Sequence, residues 1–425
     1  MSGPEVVKRQ RGHKARLELT CAQSALLDEQ ASAAITLWNC LHAYWTHFPS
    51  RRPTLAQADQ AIRQARADFP FLAVLPAQAA QAVLKTYRQA WENFFNPDHP
   101  ARKPTFKSKK NHPQPAVDVP QARNMRIVRL STRWGALTLP MVGRVRFRWT
   151  KDLPGVGKNS PAGKVTGGRL IKDAFGWQIV FRTETLHAPA CAHQGPQVGI
   201  DRGINVALAL SDGTMREHGD WLTPGEKEHL RRLEKKSARQ RASRPNRTRP
   251  SHRERRTYDQ IARLRAKAKR RAIDWQHQTT TELAATFAVI KVEKLQIANM
   301  LRSAKGTIDA PGKNVTQKAG LNRSISGQAW GRTVTLLEYK TTDHGGQVVK
   351  VPAPGTSQTC HRCHHRDPAS RNATVFACVN PACGWVGHAD TNAAININNA
   401  AGLVVSGRGD LGSTRSAKHQ PPRAA

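Results

Sequence analysis

The chain has 425 residues and a formal net charge of +37 at pH 7, because 67 lysines and arginines outnumber 30 acidic residues. A chain of this length holds about two to four domains. The excess of positive charge predicts a polyanionic partner, and nucleic acid is the leading candidate because each neutralised phosphate releases a counterion. Basic residues are spread along the chain, which disfavours the alternative of an anionic membrane surface. No run of about 18 apolar residues and no apolar leader occurs, so we expect a cytoplasmic protein without a membrane span.

The N-terminal half divides into three predicted parts. Residues 15–20 alternate in polarity and predict a strand, whereas residues 21–96 are alanine-rich with a helical period. Apolar side chains in LPAQAAQAVLKTYRQAWENFF recur at spacings of three and four, which predicts a core-facing helix rather than a base-stacking platform. The residues of this face are Val83, Tyr87, Ala90 and Phe94. From residue 97 to 185, short β-like runs separated by Gly and Pro predict a small β-barrel or an open sheet.

Two basic segments are candidate nucleic-acid contacts. In the connector PTFKSKK, the candidates for phosphate contacts are Lys107, Lys109 and Lys110, with a solvated turn as the alternative. Between about residues 226 and 272, the sequence predicts two helices, and the second has an apolar stripe. The face opposite this stripe carries Arg263, Lys267, Arg270 and Arg271. A solvated helix face normally mixes the two signs of charge, so this nearly all-positive face favours contact with nucleic acid.

Four of the seven cysteines form one cluster with the pattern C-x2-C-x14-C-x4-C, namely Cys360, Cys363, Cys378 and Cys383. An odd total in an intracellular chain argues against a disulfide framework. Four thiolates satisfy a tetrahedral Zn²⁺ ion, and the surrounding segment has few other residues from which to build a core. We therefore predict a structural zinc site without a catalytic role, in which His361, His364 and His365 are competing ligands.

Three acidic residues far apart in sequence are candidates for a second metal site. Asp201 and Glu293 each end an apolar run that predicts a buried strand, and Asp390 opens a predicted helix. Phosphodiester hydrolysis by two Mg²⁺ or Mn²⁺ ions needs such a set of oxygen ligands. Taken singly, each residue is better explained by a structural role: Asp201 as a turn residue, Glu293 as an exposed strand end and Asp390 as a helix N-cap. Composition and periodicity alone do not connect them.

The phrases GIDRGI, VEKL and GHADTNAA, in that order, resemble the three motifs of RuvC-like nucleases. SQTCHRC, placed just before the third motif, resembles the C-terminal signature of the TnpB family, the insertion-sequence nucleases related to type V CRISPR effectors. LPAQAAQAVLKTYRQAWENFF and PTFKSK also resemble the N-terminal half of that family. The similarity therefore extends over nearly the whole chain.

The resemblance implies a multidomain α+β protein. Its RNase H-like (RuvC) α/β nuclease domain contains an inserted zinc ribbon, and its N-terminal β-barrel is interrupted by a helical domain. The implied boundaries are 1–20 and 97–185 for the wedge-like barrel, 21–96 for the helical recognition domain, 196–355 and 387–403 for the nuclease, 356–386 for the ribbon and 404–425 for a disordered tail. Asp201, Glu293 and Asp390 would be the catalytic ligands of Mg²⁺ or Mn²⁺.

The resemblance also implies partners. The protein would be a prokaryotic, transposon-encoded endonuclease that associates with the nucleoid when bound to DNA. It would carry a guide RNA and cut target double-stranded DNA, so that base pairing supplies specificity. Three alternatives remain: a compact type V CRISPR effector, a DNA-binding repressor that does not cut, and a transposase without guide RNA. The sequence leaves the choice between monomer and dimer open.

Overall fold

The structure, a computed structural model, describes residues 6–47, 53–108, 114–157, 160–244, 249–307, 310–352 and 355–400. The chain folds as two compact units. One comprises residues 1–189 and 224–266, and the other comprises residues 190–223 and 267–425. The predicted disordered tail, 404–425, lies outside the described residues. None of the described helices is both long enough and apolar enough to span a membrane.

The first unit is built on a seven-stranded sheet in which all neighbouring strands run antiparallel. The strands are β1 (Val7–Glu18), β2 (Ala116–Val119), β3 (Val128–Arg129), β4 (Trp134–Leu139), β5 (Gly143–Arg148), β6 (Gly163–Asp173) and β7 (Gly176–His187). Their order is β2-β6-β7-β1-β5-β4-β3. In the described residues the end strands β2 and β3 are not hydrogen-bonded to each other, so the pairing is that of an open sheet.

The helices that contribute to the first unit are α1 (Cys21–His47), α2 (Leu55–Asp68), α3 (Pro70–Ala73), α4 (Ala77–Phe95), α5 (Pro224–Ala242) and the start of α6 (His252–Thr286). Tyr87 of α4 is fully buried, and its ring centroid lies 5.0 Å from that of Trp38 on α1. The predicted core face of α4 was wrong in part, because Phe94 is 36% exposed and the buried face runs instead through Leu84 and Trp91. Apolar residues occur on several sides of α4, so spacing alone did not select one face.

The second unit contains a five-stranded sheet. Its strands are β8 (Gln197–Asp201), β9 (Leu208–Leu210), β10 (Met215–Arg216), β11 (Val289–Glu293) and β12 (Gln347–Val351), in the order β10-β9-β8-β11-β12. The first three pair antiparallel, whereas β11 runs parallel to β8 and β12 runs parallel to β11. The apolar side chains of β8 and β11 are buried, as expected for strands covered on both faces.

Around this sheet lie the second half of α6, followed by α7 (Ile297–Met300), α8 (Val315–Gln328), α9 (Trp330–Asp343) and α10 (Ala389–Ala400). Helix α10 crosses β8 at Gly199, where an added Cβ would lie 2.2 Å from the carbonyl oxygen of Ala394. Only glycine permits so close an approach. One turn further along the helix, the buried side chain of Lys291 donates to the carbonyl of Asn398 at 2.5 Å. These two contacts fix α10, and with it Asp390, over the strands.

Candidate active site

The three predicted carboxylates converge at one end of the five-stranded sheet. Asp201 is the last residue of β8, and Glu293 is the last residue of β11. Because β8 and β11 are adjacent and parallel, their carboxyl ends meet at the same edge. Asp390 lies in the first turn of α10, the helix that packs against β8, and its side chain is only 13% exposed. The fold therefore brings together residues that are far apart in the chain.

The charges of the three residues act on one another. The pKa of Asp201 is raised to about 7, first by burial and then by the nearby carboxylates of Glu293 and Asp390. The guanidinium of Arg371 opposes this rise, and its Nη2 donates to Asp390 at 2.9 Å. A second guanidinium, that of the buried Arg202, interacts with Glu293 and Asp201. Three half-buried acids therefore face two arginines, and a cation bound among the carboxylates would offset the remaining negative charge.

Two further contacts hold Glu293. The hydroxyl of Thr356 donates to its carboxylate, and Nη2 of Arg202 donates to its backbone carbonyl. Arg202 is 6% exposed, and its Nε has no hydrogen-bond partner. Sequence reasoning missed these residues and Arg371. Arg202 directly follows Asp201 but has no pattern of its own in the sequence. Thr356 lies in a loop and Arg371 on a two-residue strand, and the acids that they contact are distant in sequence, so no local pattern could have revealed them.

The four cysteines of the C-terminal cluster also meet. Their Sγ atoms all lie within 4.8 Å of one another, at 3.8 Å between Cys360 and Cys383 and 3.5 Å between Cys363 and Cys378. Four sulfurs at about 2.3 Å from a tetrahedral Zn²⁺ would be about 3.8 Å apart, so the set fits the ion. In the described part of the chain, these thiols are the only such compact group of Cys, His, Asp or Glu ligands.

The thiols are held by a small three-stranded antiparallel sheet of β13 (Arg371–Asn372), β14 (Val375–Ala377) and β15 (Val386–His388). Phe376 is fully buried beside the cluster, and its ring lies 5.8 Å from that of Trp385. The competing histidine ligands lie outside the thiol group. In particular, Nδ1 of His361 is 3.0 Å from Oδ1 of Asn392. The strand β13 also carries Arg371, so the same small sheet that holds the thiols delivers the guanidinium to Asp390.

The candidate basic residues occupy different environments. Lys107 is half-buried, with its Nζ 3.7 Å from the ring centroid of Trp38, and burial lowers its pKa. Lys109 and Lys110 lie outside the described residues. On α6, the exposed residues are Arg263, Lys267 and Arg270. Arg271 is half-buried and donates to the carbonyl of Trp221 at 2.8 Å, so it contributes to packing and not to a wholly exposed basic face.

In the first unit, Arg263 lines a cavity of about 560 Å³ together with two other cationic side chains, Arg16 and Lys172. Two acids, Asp173 and Asp259, line the same cavity, and Lys172 is paired with Asp28 at 2.6 Å. Arg263 is therefore the candidate on α6 that faces a concave surface with other basic groups nearby.

Two segments of the chain match known protein families. Residues 180–304 match the family OrfB_IS605, described as a probable transposase, and residues 330–397 match the Cas12f1-like TNB domain. The chain is 33% identical to InsQ of Escherichia coli K12 over 348 residues, which are 81% of this chain and 80% of InsQ. The name of InsQ describes it as a proposed RNA-guided DNA endonuclease. A similarly named protein of Streptomyces pristinaespiralis is 26% identical over 401 residues, covering 90% of this chain and 89% of that protein.

Among solved structures, the chain in a Cas12f1–sgRNA–target DNA complex aligns over 90% of this chain and 84% of its own length. The identity is 13% and the TM-score is 0.48, so this likeness is too loose to support a further conclusion. The sequence relationship with InsQ extends over four-fifths of both chains at 33% identity. The chain therefore belongs to the TnpB family, as its motifs predicted.

Proposed function

We propose that this protein is an RNA-guided, divalent-metal-dependent DNA endonuclease whose cutting centre consists of Asp201, Glu293 and Asp390. The observation that carries the proposal is the convergence of these three acids at the carboxyl end of two parallel strands. Strands β8, β9 and β10 pair antiparallel, and β11 and β12 run parallel to β8. This is the strand arrangement expected of an RNase H-like sheet. The names of the relatives support the guided reaction on DNA.

The donor set suits hard cations, because carboxylate oxygens are the preferred ligands of Mg²⁺ and Mn²⁺. Asp201, Glu293 and Asp390 would hold these ions between β8, β11 and α10. Bound there, the ions would supply an activated water and stabilise the leaving oxygen of the phosphodiester.

The residues of the chain have separate roles in this proposal. Asp201 and Glu293 hold the cations from the sheet, and Asp390 holds them from α10. The Arg371 guanidinium orients Asp390 by donating a hydrogen bond to its Oδ1.

The cysteine cluster is proposed to hold one structural Zn²⁺. Its four thiols leave no open position for a water or a substrate, so it would not take part in the chemistry directly. The fit of the Sγ spacing to a tetrahedral ion supports this assignment.

The guide RNA is proposed to neutralise much of the net charge of +37. A protein that met only transient DNA would carry this charge unneutralised for most of its lifetime. The test is to purify the protein from cells that express its native locus and to sequence any RNA bound to it. A defined RNA from beside the gene supports the proposal. Protein that is free of RNA and cuts one fixed DNA site unaided would instead indicate a site-specific nuclease or a transposase.

The cavity lined by Arg263 provides a local test of nucleic-acid contact. Arg263→Gln should weaken RNA binding and reduce the slope of log affinity against log salt by about 0.7–0.9, as expected for one lost phosphate contact. The measurement is RNA binding by filter retention or anisotropy across a series of salt concentrations.

The matched control for this variant is Arg265→Gln on the same helix. Arg265 is similarly exposed, but its Nη2 is already 2.7 Å from Glu234. The control should leave the slope unchanged, since this arginine is neutralised within the protein. Identical slopes for the wild type and Arg263→Gln would show that Arg263 does not contact phosphate.

A further inference from the structure

The loop that leads from β12 into the cysteine cluster contacts the proposed cutting centre directly. Within this loop, the hydroxyl of Thr356 donates to Oε1 of Glu293. The backbone carbonyl of the same residue accepts a hydrogen bond of 2.9 Å from Nδ2 of Asn396. Thr356 therefore links a carboxylate at the end of β11 with a side chain on α10, the helix that also carries Asp390.

A second asparagine on α10 extends this link to the cysteine cluster. Asn392 and Asn396 are four residues apart and so lie on one face of the helix. Both donate to the carbonyl of Thr359, at 2.7 Å and 2.6 Å respectively. Oδ1 of Asn392 accepts from the backbone N–H of His361 at 2.9 Å, next to Cys360. The chain is thus fixed to α10 at Thr356 and Thr359 before the first thiol, Cys360, and at His361 directly after it.

These contacts are buried. Asn392 is fully buried, and Asn396 is 9% exposed. A buried amide is costly unless it is hydrogen-bonded, so removing the loop from α10 would leave several polar groups without partners. The loop has one favourable position against the helix, and that position sets where the Thr356 hydroxyl lies.

Glu293 needs such a partner more than the two aspartates do. A glutamate side chain has one more rotatable bond than an aspartate, so more conformational freedom must be lost to fix its carboxylate. A hydroxyl that donates to a carboxylate makes a charge-assisted bond, which is stronger than a neutral one. Partners of this kind orient metal ligands, and their loss typically weakens metal binding by about 10- to 100-fold.

We infer that Thr356 is a positioning residue for Glu293, and that Asn392 and Asn396 couple its position to the cysteine cluster. The inference rests on the proposed function, because Glu293 is assigned there as a metal ligand. The same hydrogen bonds make the residues just before Cys360 a structural part of the proposed cutting centre.

The test compares Thr356→Val, which removes the hydroxyl at nearly constant shape, with Thr356→Ser, which keeps it. Mn²⁺ binding to each purified protein is measured by calorimetry or electron paramagnetic resonance, and the site is identified as the binding that Asp201→Ala abolishes. We expect Thr356→Val to weaken this binding by roughly 10- to 100-fold, and Thr356→Ser to remain within about threefold of the wild type. The Mg²⁺ concentration that gives half-maximal cutting should shift by a similar factor.

Zinc content and RNA binding should be the same in all three proteins, which separates a positioning role from a general loss of structure. Asn396→Asp, which removes both donors to the loop while keeping the shape of the side chain, should shift Mn²⁺ binding in the same direction. Equal Mn²⁺ binding and equal Mg²⁺ dependence in Thr356→Val and the wild type would overturn the inference and leave the proposed function intact. Absence of any Asp201-dependent Mn²⁺ site in the wild type would overturn both.

Discussion

Asp201→Ala, Glu293→Ala and Asp390→Ala are each expected to lower the rate of DNA cutting by on the order of 1,000-fold or more, because a catalytic unit fails as a whole when one member is lost. Each replacement removes one oxygen ligand from the proposed metal site, whose cations we expect to need all three. Binding of RNA and DNA should remain, since loss of a negative charge does not weaken attraction for phosphate. The measurement is single-turnover cutting of a labelled target in Mg²⁺, together with a binding assay on the same variants.

The matched control is Asp212→Ala in the second unit. Asp212 is exposed, and its carboxylate accepts from the backbone N–H of Thr214 in a turn. This control should cut at the wild-type rate. Full cutting by any one of the three variants, or by the wild type in excess chelator, would contradict the assignment of the carboxylates.

The second large effect is expected from the cysteine cluster. Cys378→Ser should remove about one Zn²⁺ per chain, because structural zinc requires its complete ligand set. It should also abolish most of the cutting, because the small sheet that holds the thiols positions Arg371 at Asp390. Elemental analysis gives the zinc content, and limited proteolysis shows whether the region from 356 to 388 has become accessible.

Cys21→Ser provides the control, since Cys21 is an exposed free thiol in the first unit. It should retain both zinc and activity. Freshly purified, active protein without zinc would contradict the assignment of the cluster. Active Cys378→Ser protein that has lost its zinc would show instead that the position of Arg371 does not depend on the metal.

The parts of the site that were predictable are those with a local signal. Apolar runs that end in Asp201 and Glu293 predicted strand ends, and β8 and β11 do end at these residues. The short spacing within each cysteine pair predicted a shared metal site, and the four Sγ atoms lie together. That β8 and β11 are neighbours could not be predicted from periodicity, because pairing between distant strands depends on packing along the whole chain. The family resemblance connected the acids before the structure did.

Other features of the fold and the site could not be predicted from the sequence. The strand β1 begins at Val7 rather than at residue 15, because its first half is polar and owes its extended form to pairing with β7. Asn392 and Asn396 lie in a helix that was predicted, yet nothing in ININNA indicates what their amides bind. Thr356 and Arg371 act on acids 63 and 19 residues away, so only the folded chain shows their roles.

The most direct test of the central claim is to redirect the cut. The purified chain is combined with the RNA from beside its gene, with the guide end of that RNA rewritten to match a new DNA sequence. In Mg²⁺, cutting should move to the new sequence and disappear from the original one, while the Asp201→Ala complex should bind the new sequence without cutting it. Cutting that stays at one site whatever RNA is supplied, or that proceeds without RNA, would contradict the account.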